Sequence, residues 1–574
     1  MHTVETVLLV LMLGALTGIA ARYVRAIPLP LIQIALGALI AWPQDGLHIA
    51  FDPELFLLLF IPPLLFADGW RIPKREFFAL AKPILLLAFG LVFITVFGLG
   101  YLIHWLIPSI PLTVAFALAA VVSPTDAVAV SAISRNLGMP SKTMHLLEGE
   151  SLLNDASGLV ALKFAVAATL TAGSFSWENA AKDFTWMSVG GLGLGALMGW
   201  GFSRGRDMVT RRVGDVAATQ MVLLLILLPF ASYIMGEYIG VSGILSAVAA
   251  GIATNFADLD GSNFISERLQ TEGTWSMVEA AFNGAIFLLL GLQLPSIIGE
   301  TLRGAAHRDV WLLLGYVAAI SCALLALRWA WLMLGVRSSL HKAHRQGRMV
   351  ERPSALLTLA TTVAGIRGAV TLAAALSIPT HLANGRVFPE RNLLIFLATG
   401  TILFTLVLGS IVLPLLLRRI PPVEDTQAQH EERLARTAAC QAAIASLALP
   451  EDQAQQHSAQ WLAQHQEVAG RITQEYRNRI QLLDESGVAN TPEAQSDSPE
   501  VVHERRLRYL REIELRLHCI QVERNTLYAE RQAHRINDEM LRAMVSELDM
   551  SEVSLRKRLA VARRAVGLPP LEGH

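Results

Sequence analysis

Charge is scarce in this chain: 17% of its 574 residues are Asp, Glu, Lys or Arg, where a soluble domain carries about 25%. The scarcity is uneven, which excludes an ordinary soluble globule for most of the length. Residues 1 to about 420 hold nearly all the long apolar runs, and from Pro421 the chain turns to Glu, Arg, Gln and Ala. Cysteine is also rare. Cys322, Cys440 and Cys519 are odd in number and far apart, which argues against a disulfide framework or a metal site and for free thiols. Net charge is -1, so there is no bulk attraction to nucleic acid. A basic leader is missing too. The chain opens MHTVET, and Arg22 and Arg25 come after the first apolar run. Val4 to Val24 therefore reads as a first span with its N-terminus outside, not as a signal peptide.

What is present is a series of apolar runs of membrane-crossing length. They lie near 4–24, 27–43, 54–68, 79–106, 111–134, 144–172, 185–203, 216–238, 240–255, 276–298, 309–336, 354–377 and 392–418, judged against a span of roughly 20 residues. The expected fold is an all-α polytopic membrane protein of about thirteen transmembrane helices. A helical cytoplasmic domain follows, with the division at 1–420 and 421–574. Arg71, Lys74 and Arg75, then Arg135 and Lys142, then Arg204, Arg206, Arg211 and Arg212, then Arg337, Lys342, Arg345, Arg348 and Arg352 occupy alternate loops. With the N-terminus outside, all of them fall on the cytoplasmic side. The acidic loop ADLDGSNFISERLQTEG departs from the pattern, but acidic residues count little in it.

The tail carries Leu510, Ile513, Leu517, Ile520 and Leu527 at helical steps. Asp549 and Glu552 have capping-box spacing for a last helix, and ESGVANTPEAQSDSPE reads as a loop between helical blocks. No nucleotide-binding or catalytic motif is visible there, so the tail reads as a scaffold for dimerisation or regulation. The glycines of GGLGLGALMGWG follow no strand and lie inside a span. Gly191, Gly195 and Gly199 recur every four residues, the small-residue packing pattern of membrane helices.

Three stretches put polar residues where apolar ones are expected. SPTD, at Ser123 to Asp126, sets a proline beside an aspartate in the fifth run. Proline breaks the backbone ladder, and in lipid the freed groups must be satisfied or line a cavity. LLEGESLLNDASGLVALKF puts Glu148, Glu150, Asn154, Asp155 and Lys163 in the sixth run. Ser151 and Asp155, four apart, share a helix face. Glu150, five before Asp155, is turned away and needs another partner. GIRGAVT, at Gly365 to Thr371, flanks Arg367 with glycines that permit an unwound backbone. Arg367 is the natural partner for Glu150, because a buried guanidinium must be paired. Interrupted helices in two halves of a chain point to the midplane site of a secondary transporter.

SPTDAVAV, GESLLNDASG and GIRGAVTL resemble the signature segments of the monovalent cation:proton antiporter-1 family, the bacterial sodium/proton exchangers related to the animal ones. The resemblance covers the membrane domain and says little of the tail. It implies inverted repeats with broken crossover helices, a homodimer and elevator-type alternating access. It implies that Asp155 is the carboxylate shared by proton and cation. Asn154 stands where electrogenic relatives carry a second aspartate, which goes with electroneutral one-for-one exchange. Thr125 would offer a carbonyl and Ser151 a hydroxyl to an alkali cation, Na+ or K+, at Asp155. Asp126 would work at the crossover with Asn154, and Glu150 with Arg367 would form a structural ion pair. Asp68, in IPPLLFADGW, lies one place later than the acidic residue of the animal pattern, which leaves it facing the ion or standing beside it.

The chemistry agrees. One carboxylate holds a proton or a cation, not both, and hard oxygen ligands suit an alkali ion better than a soft transition metal. No cofactor is expected, no enzyme activity and no nucleic acid. The partners are protons, monovalent cations, the lipid bilayer and a second copy. A bacterial inner membrane, a role in pH homeostasis and a cytoplasmic tail complete the expectation. The competing reading of Asp155 is a structural acid paired with Lys163, eight residues on. A passive cation channel and a membrane sensor signalling through the tail are the competing functions. Neither a repeated carbonyl filter nor a recognisable output domain is visible for them.

Overall fold

Proline marks where several helices begin, because at the first helical turn its missing N–H costs nothing. The computed structural model describes residues 2–20, 27–42, 58–134, 137, 139–170, 177–213, 218–257, 265–304, 310–346, 354–381, 387–420, 437–447, 459–483, 499–532 and 538–565. The first helices are α1 (His2–Ala20), α2 (Leu29–Ala41) and α3 (Ile61–Arg71). Pro30 stands in the first turn of α2, and Pro62 and Pro63 in that of α3. After α4 (Lys74–Ala79) comes α5 (Ala81–Leu106). A π-helical turn at Leu86–Leu91 interrupts α5. Ser157 donates a 2.6 Å hydrogen bond to the Ala88 carbonyl in that turn, so the irregular backbone is satisfied by a neighbouring helix.

The fifth expected run is not one helix. It is α6 (Leu112–Val121) and α7 (Ala127–Ser134), with an extended break between them. Then come α8 (Ser141–Leu170), α9 (Trp177–Val213), α10 (Ala218–Ile239), α11 (Gly243–Ala257), α12 (Ile265–Gly304) and α13 (Val310–Arg345). The twelfth expected run is likewise split, into α14 (Ala355–Val363) and α15 (Ala369–Leu376), and α16 (Arg391–Leu417) follows. Six helices among the described residues are long and apolar enough to cross a membrane, and four shorter ones are apolar. The only β-pairing among the described residues is an isolated bridge between His381 and Val387.

Helices α1–α16 sort by contact into two groups. In one, α1–α3 and α9–α12 pack on each other. In the other, α4–α8 pack with α13–α16. Contacts between the groups are few and run mainly from α12 to α15 and α16 and from α8 to α3, α9 and α11. The glycine stripe of α9 is a packing device. A Cβ on Gly195 would come within 2.0 Å of the Ser246 carbonyl, and one on Gly199 within 2.4 Å of that of Ala250. Only glycine lets α9 and α11 approach so closely.

Residues 1–423 and 424–574 form separate compact units. In the second, α17 (Ala459–Leu483) precedes α18 (Pro499–Gln532) and α19 (Asp538–Ala565). Leu510 and Ile513 pack on Leu559 and Ala562, while Arg524 meets Asp549 and Glu552. Rising numbers on α18 meet falling ones on α19, so the pair is an antiparallel hairpin. This corrects the capping-box expectation. The last helix starts at Asp538, and Asp549 and Glu552 point from its interior to Arg524. The expected loop ESGVANTPEAQSDSPE lies almost wholly outside the described residues. Cys322, Cys440 and Cys519 are free thiols.

Candidate functional site

Proline and glycine unwind the chain at two places, and the fold crosses those places over one another. Residues 122–126 separate α6 from α7, and residues 364–368 separate α14 from α15. The Asp126 N–H donates to the Ile366 carbonyl at 2.8 Å. Arg367 Nη1 donates to the carbonyls of Ser123 (2.5 Å) and Pro124 (2.8 Å), and its backbone N–H to Thr405 Oγ1 at 3.2 Å. Gly368 lies hard against Asp126, where an added Cβ would come within 2.2 Å of Oδ2.

Each break exposes helix ends, and charges answer them. Asp126 Oδ1 accepts from the N–H groups of Val128 (2.8 Å) and Ala129 (3.0 Å), which caps the positive end of α7. The Arg367 guanidinium sits on carbonyls just past the negative end of α6. Asp126 and Arg367 are therefore tied into the crossing.

The expected pairing of Glu150 with Arg367 is not what the structure has. The Glu150 carboxylate binds both terminal nitrogens of Arg328, on α13, with Nη2 2.8 Å from Oε2 and Nη1 closer still to Oε1. Both side chains are about 1% exposed. Arg328 Nε also donates to the Thr361 carbonyl at 3.2 Å. Arg367 is occupied by carbonyls, so Glu150, on the far face of α8 from Asp155, takes the other guanidinium. Arg328 was missed in the sequence. Its signal was there: a lone arginine within ALLALRWAWL, in an apolar span of 32 residues.

The near face of α8 meets the first break. Ser151 Oγ donates to the Thr125 carbonyl at 2.8 Å and accepts from Ala127 N–H at 3.3 Å. Asn154 Nδ2 donates to Thr125 Oγ1 at 2.8 Å, while its buried Oδ1 has no partner among the described residues. Asn154 thus meets Thr125, and the crossing partner of Asp126 is Ile366. Asp155 is 7% exposed. Among the described residues, no side-chain cation or hydrogen-bond donor pairs with its carboxylate. Lys163 goes elsewhere, to Glu237.

Asp155 lies within electrostatic reach of Asp126 and Asp68. Asp68 is exposed between buried neighbours on α3. Asp68 also feels Glu279, Glu148 and Arg71. Arg71 is paired with Glu279 and donates to Ser276 Oγ at 3.2 Å. The structure thus brings Thr125, Asp126, Ser151, Asn154 and Asp155 together, with Asp68 at the approach. A carbonyl, a hydroxyl and a carboxylate form a hard oxygen donor set. No cluster of three or more His, Cys, Asp or Glu able to hold a metal occurs among the described residues.

Comparison with known proteins points the same way. A family profile described as "Sodium/hydrogen exchanger, transmembrane" matches residues 8–419. The uncharacterized Na+/H+ exchanger YjcE of Escherichia coli (strain K12) is 42% identical over 556 residues, covering 96% of this chain and 98% of that protein. A protein of Bacillus pumilus (strain SAFR-032), named a sodium, potassium, lithium and rubidium/H+ antiporter, is 46% identical over 433 residues, 74% of this chain and 64% of that one. The structure of the sodium proton antiporter MjNhaP1 from Methanocaldococcus jannaschii at pH 8 superposes with a TM-score of 0.56 at 16% identity, over 73% of this chain and 99% of that one.

Proposed function

The chain belongs to the transmembrane sodium/hydrogen exchanger family, and from that premise we propose that it exchanges an alkali cation for a proton at Asp155. Cation/proton exchange across a membrane is the family's activity; the site, stoichiometry and motion are our reading. One observation carries it. Asp155 is a nine-tenths buried carboxylate with no partner among the described side chains, and a buried unpaired carboxylate must take up a proton or a cation.

When a cation enters, Asp155, the Ser151 hydroxyl and the Thr125 carbonyl are its ligands. Ser151 then turns its lone pairs inward and gives up its bond to Thr125. The Asn154 amide holds Thr125 in place. When a proton enters, it neutralises Asp155 and the cation leaves. In either case the loaded site carries the same net charge, because Asn154 is neutral and the Asp126 carboxylate is committed to the α7 cap. Exchange is therefore one for one and electroneutral. The Glu150–Arg328 pair ties α8 to α13, so the group holding Asp155 moves as a body.

The sparse contacts between the two helix groups support an elevator-type motion of α4–α8 and α13–α16 against α1–α3 and α9–α12. The basic loops support an N-terminus outside and a cytoplasmic tail in a bacterial inner membrane. The Glu148 end of α8 is then cytoplasmic. The chain works as a homodimer. The name of the Bacillus pumilus relative supports an alkali site that accepts both sodium and potassium.

The test is cation-driven proton movement in proteoliposomes, wild type against Asp155→Asn, with the membrane potential clamped and free. Exchange that ignores the potential and is absent from the variant is the expected result. Exchange that survives in Asp155→Asn removes Asp155 from the mechanism. Wild type that moves no protons with sodium or potassium removes the function.

A further inference from the structure

Lys163 is a charge on α8 that the ion site leaves unexplained. It follows Asp155 by eight residues, about 12 Å along the helix axis, at the end away from Glu148. Its ammonium reaches across to α10, with Nζ 3.3 Å from Glu237 Oε1 and 3.4 Å from Oε2.

The two partners are held differently. Glu237 is fixed. Its Oε1 also accepts from the Gly243 N–H at 3.2 Å, the first residue of α11, where a helix N-terminus favours negative charge. The turn beneath it is pinned by Gly240 at φ 79° and by a 2.9 Å bond from Val241 N–H to the Gly236 carbonyl. Lys163 is a long flexible arm, half exposed. Glu237 belongs to one helix group and Lys163 to the other, on the same helix as Asp155. α8 and α10 share little other contact.

We propose that the Lys163–Glu237 pair is a releasable latch between the two helix groups, which holds the outer end of the seam closed and sets how the protein divides between its two openings. The proposal rests on the alternating-access reading above. A shift of α8 by one helical turn, 5.4 Å, takes Lys163 out of reach of an anchored Glu237. An exposed pair of this kind biases an equilibrium by about 1.4- to 5-fold. Such a bias tilts the populations without trapping either. If the cation binds each opening equally well, its apparent affinity at each face falls with the fraction of protein open there. The ratio of the two apparent affinities then reports the equilibrium directly. Lys163 is thus a positioning residue: it touches no ion and acts through the placement of α8.

The experiment measures the apparent KM for sodium ion at each face, in right-side-out and everted vesicles, at ionic strength fixed with choline chloride. The full-length chain is compared as wild type, Lys163→Gln, Glu237→Gln, the double variant and Lys163→Arg. Each Gln variant is expected to move the ratio about 1.4- to 5-fold in favour of the outer face. The double variant is expected to move it no further, and Lys163→Arg to restore it. A ratio unchanged in both Gln variants overturns the latch. So do effects that multiply in the double variant, or loss of exchange in Lys163→Gln but not in Glu237→Gln. Wild type without exchange overturns the function reading instead.

Discussion

Arg328→Met tests which arginine holds Glu150. In the structure Glu150 and Arg328 are both about 1% exposed and bound through two nitrogens. Removing the arginine leaves a carboxylate in a dry interior without its counter-charge, a loss of about 3–5 kcal/mol. Adding Glu150→Gln removes the orphan charge and is expected to recover about 2 kcal/mol of that loss. Arg367→Met is a different injury. It strips a donor from the carbonyls of Ser123 and Pro124, at about 1–3 kcal/mol for each group left unsatisfied. Glu150 acts on Arg367 only at longer range, so Glu150→Gln is expected to recover little there.

The assay is thermal unfolding of the purified full-length protein in detergent. It compares wild type, Glu150→Gln, the two arginine variants and the two doubles, which makes two double-mutant cycles sharing one substitution. A large coupling with Arg328 and a small one with Arg367 is the expected pattern. The reverse pattern, with Glu150→Gln rescuing Arg367→Met and not Arg328→Met, would refute the pairing. The role given to Arg328 in tying α8 to α13 would go with it.

Three further outcomes follow from the same geometry. Gly368→Ala puts a methyl group within 2.2 Å of Asp126 Oδ2. The crossing must spread, so exchange is expected to be lost even where the variant still reaches the membrane; normal flux in vesicles would contradict the tight crossing. On the proposed competition of proton and cation for Asp155, acidifying the cation side is expected to raise the apparent KM for sodium, approaching tenfold per pH unit in the acid limit. The maximal rate should not change, and a falling maximal rate at constant KM would point to a proton site elsewhere. In the tail, hydrogen bonds from Arg524, then Arg556, hold the Glu552 carboxyl below its ordinary value of 4.5. A lowered carboxyl contributes stability above its unfolded value and loses it as pH falls through the folded one. Amide exchange in α18 and α19, corrected for intrinsic rates, should stay level from pH 8 to about 5 and rise below 4.5. Arg524→Gln should flatten that rise.

Where the chain unwinds was legible because proline and glycine punctuate locally: SPTD and GIRG mark both breaks. The near face of α8 was legible as well, because Ser151 and Asp155 stand four residues apart on a helix. The π-turn at Leu86–Leu91 was not, since no residue in LLAFGL demands it and the Ser157 hydroxyl that satisfies it comes from another helix. The partner of Glu150 was misread for a related reason. Arg367 is conspicuous between its glycines, but that conspicuousness reflects the unwound strand it sits on, and the nearest needs of that strand are the bare carbonyls past α6. Arg328 looks inconspicuous in an apolar helix, yet a lone guanidinium there requires a carboxylate as surely as the other does. Treating the charges at the crossing and on the adjoining part of α8 as one set resolves the choice. Asp126 is taken by the N-terminus of α7, Arg367 by the carbonyls past α6, and Glu150 by Arg328. The carboxylate left over among them is Asp155, with no partner among the described side chains, and that is why the proposed exchange is placed there.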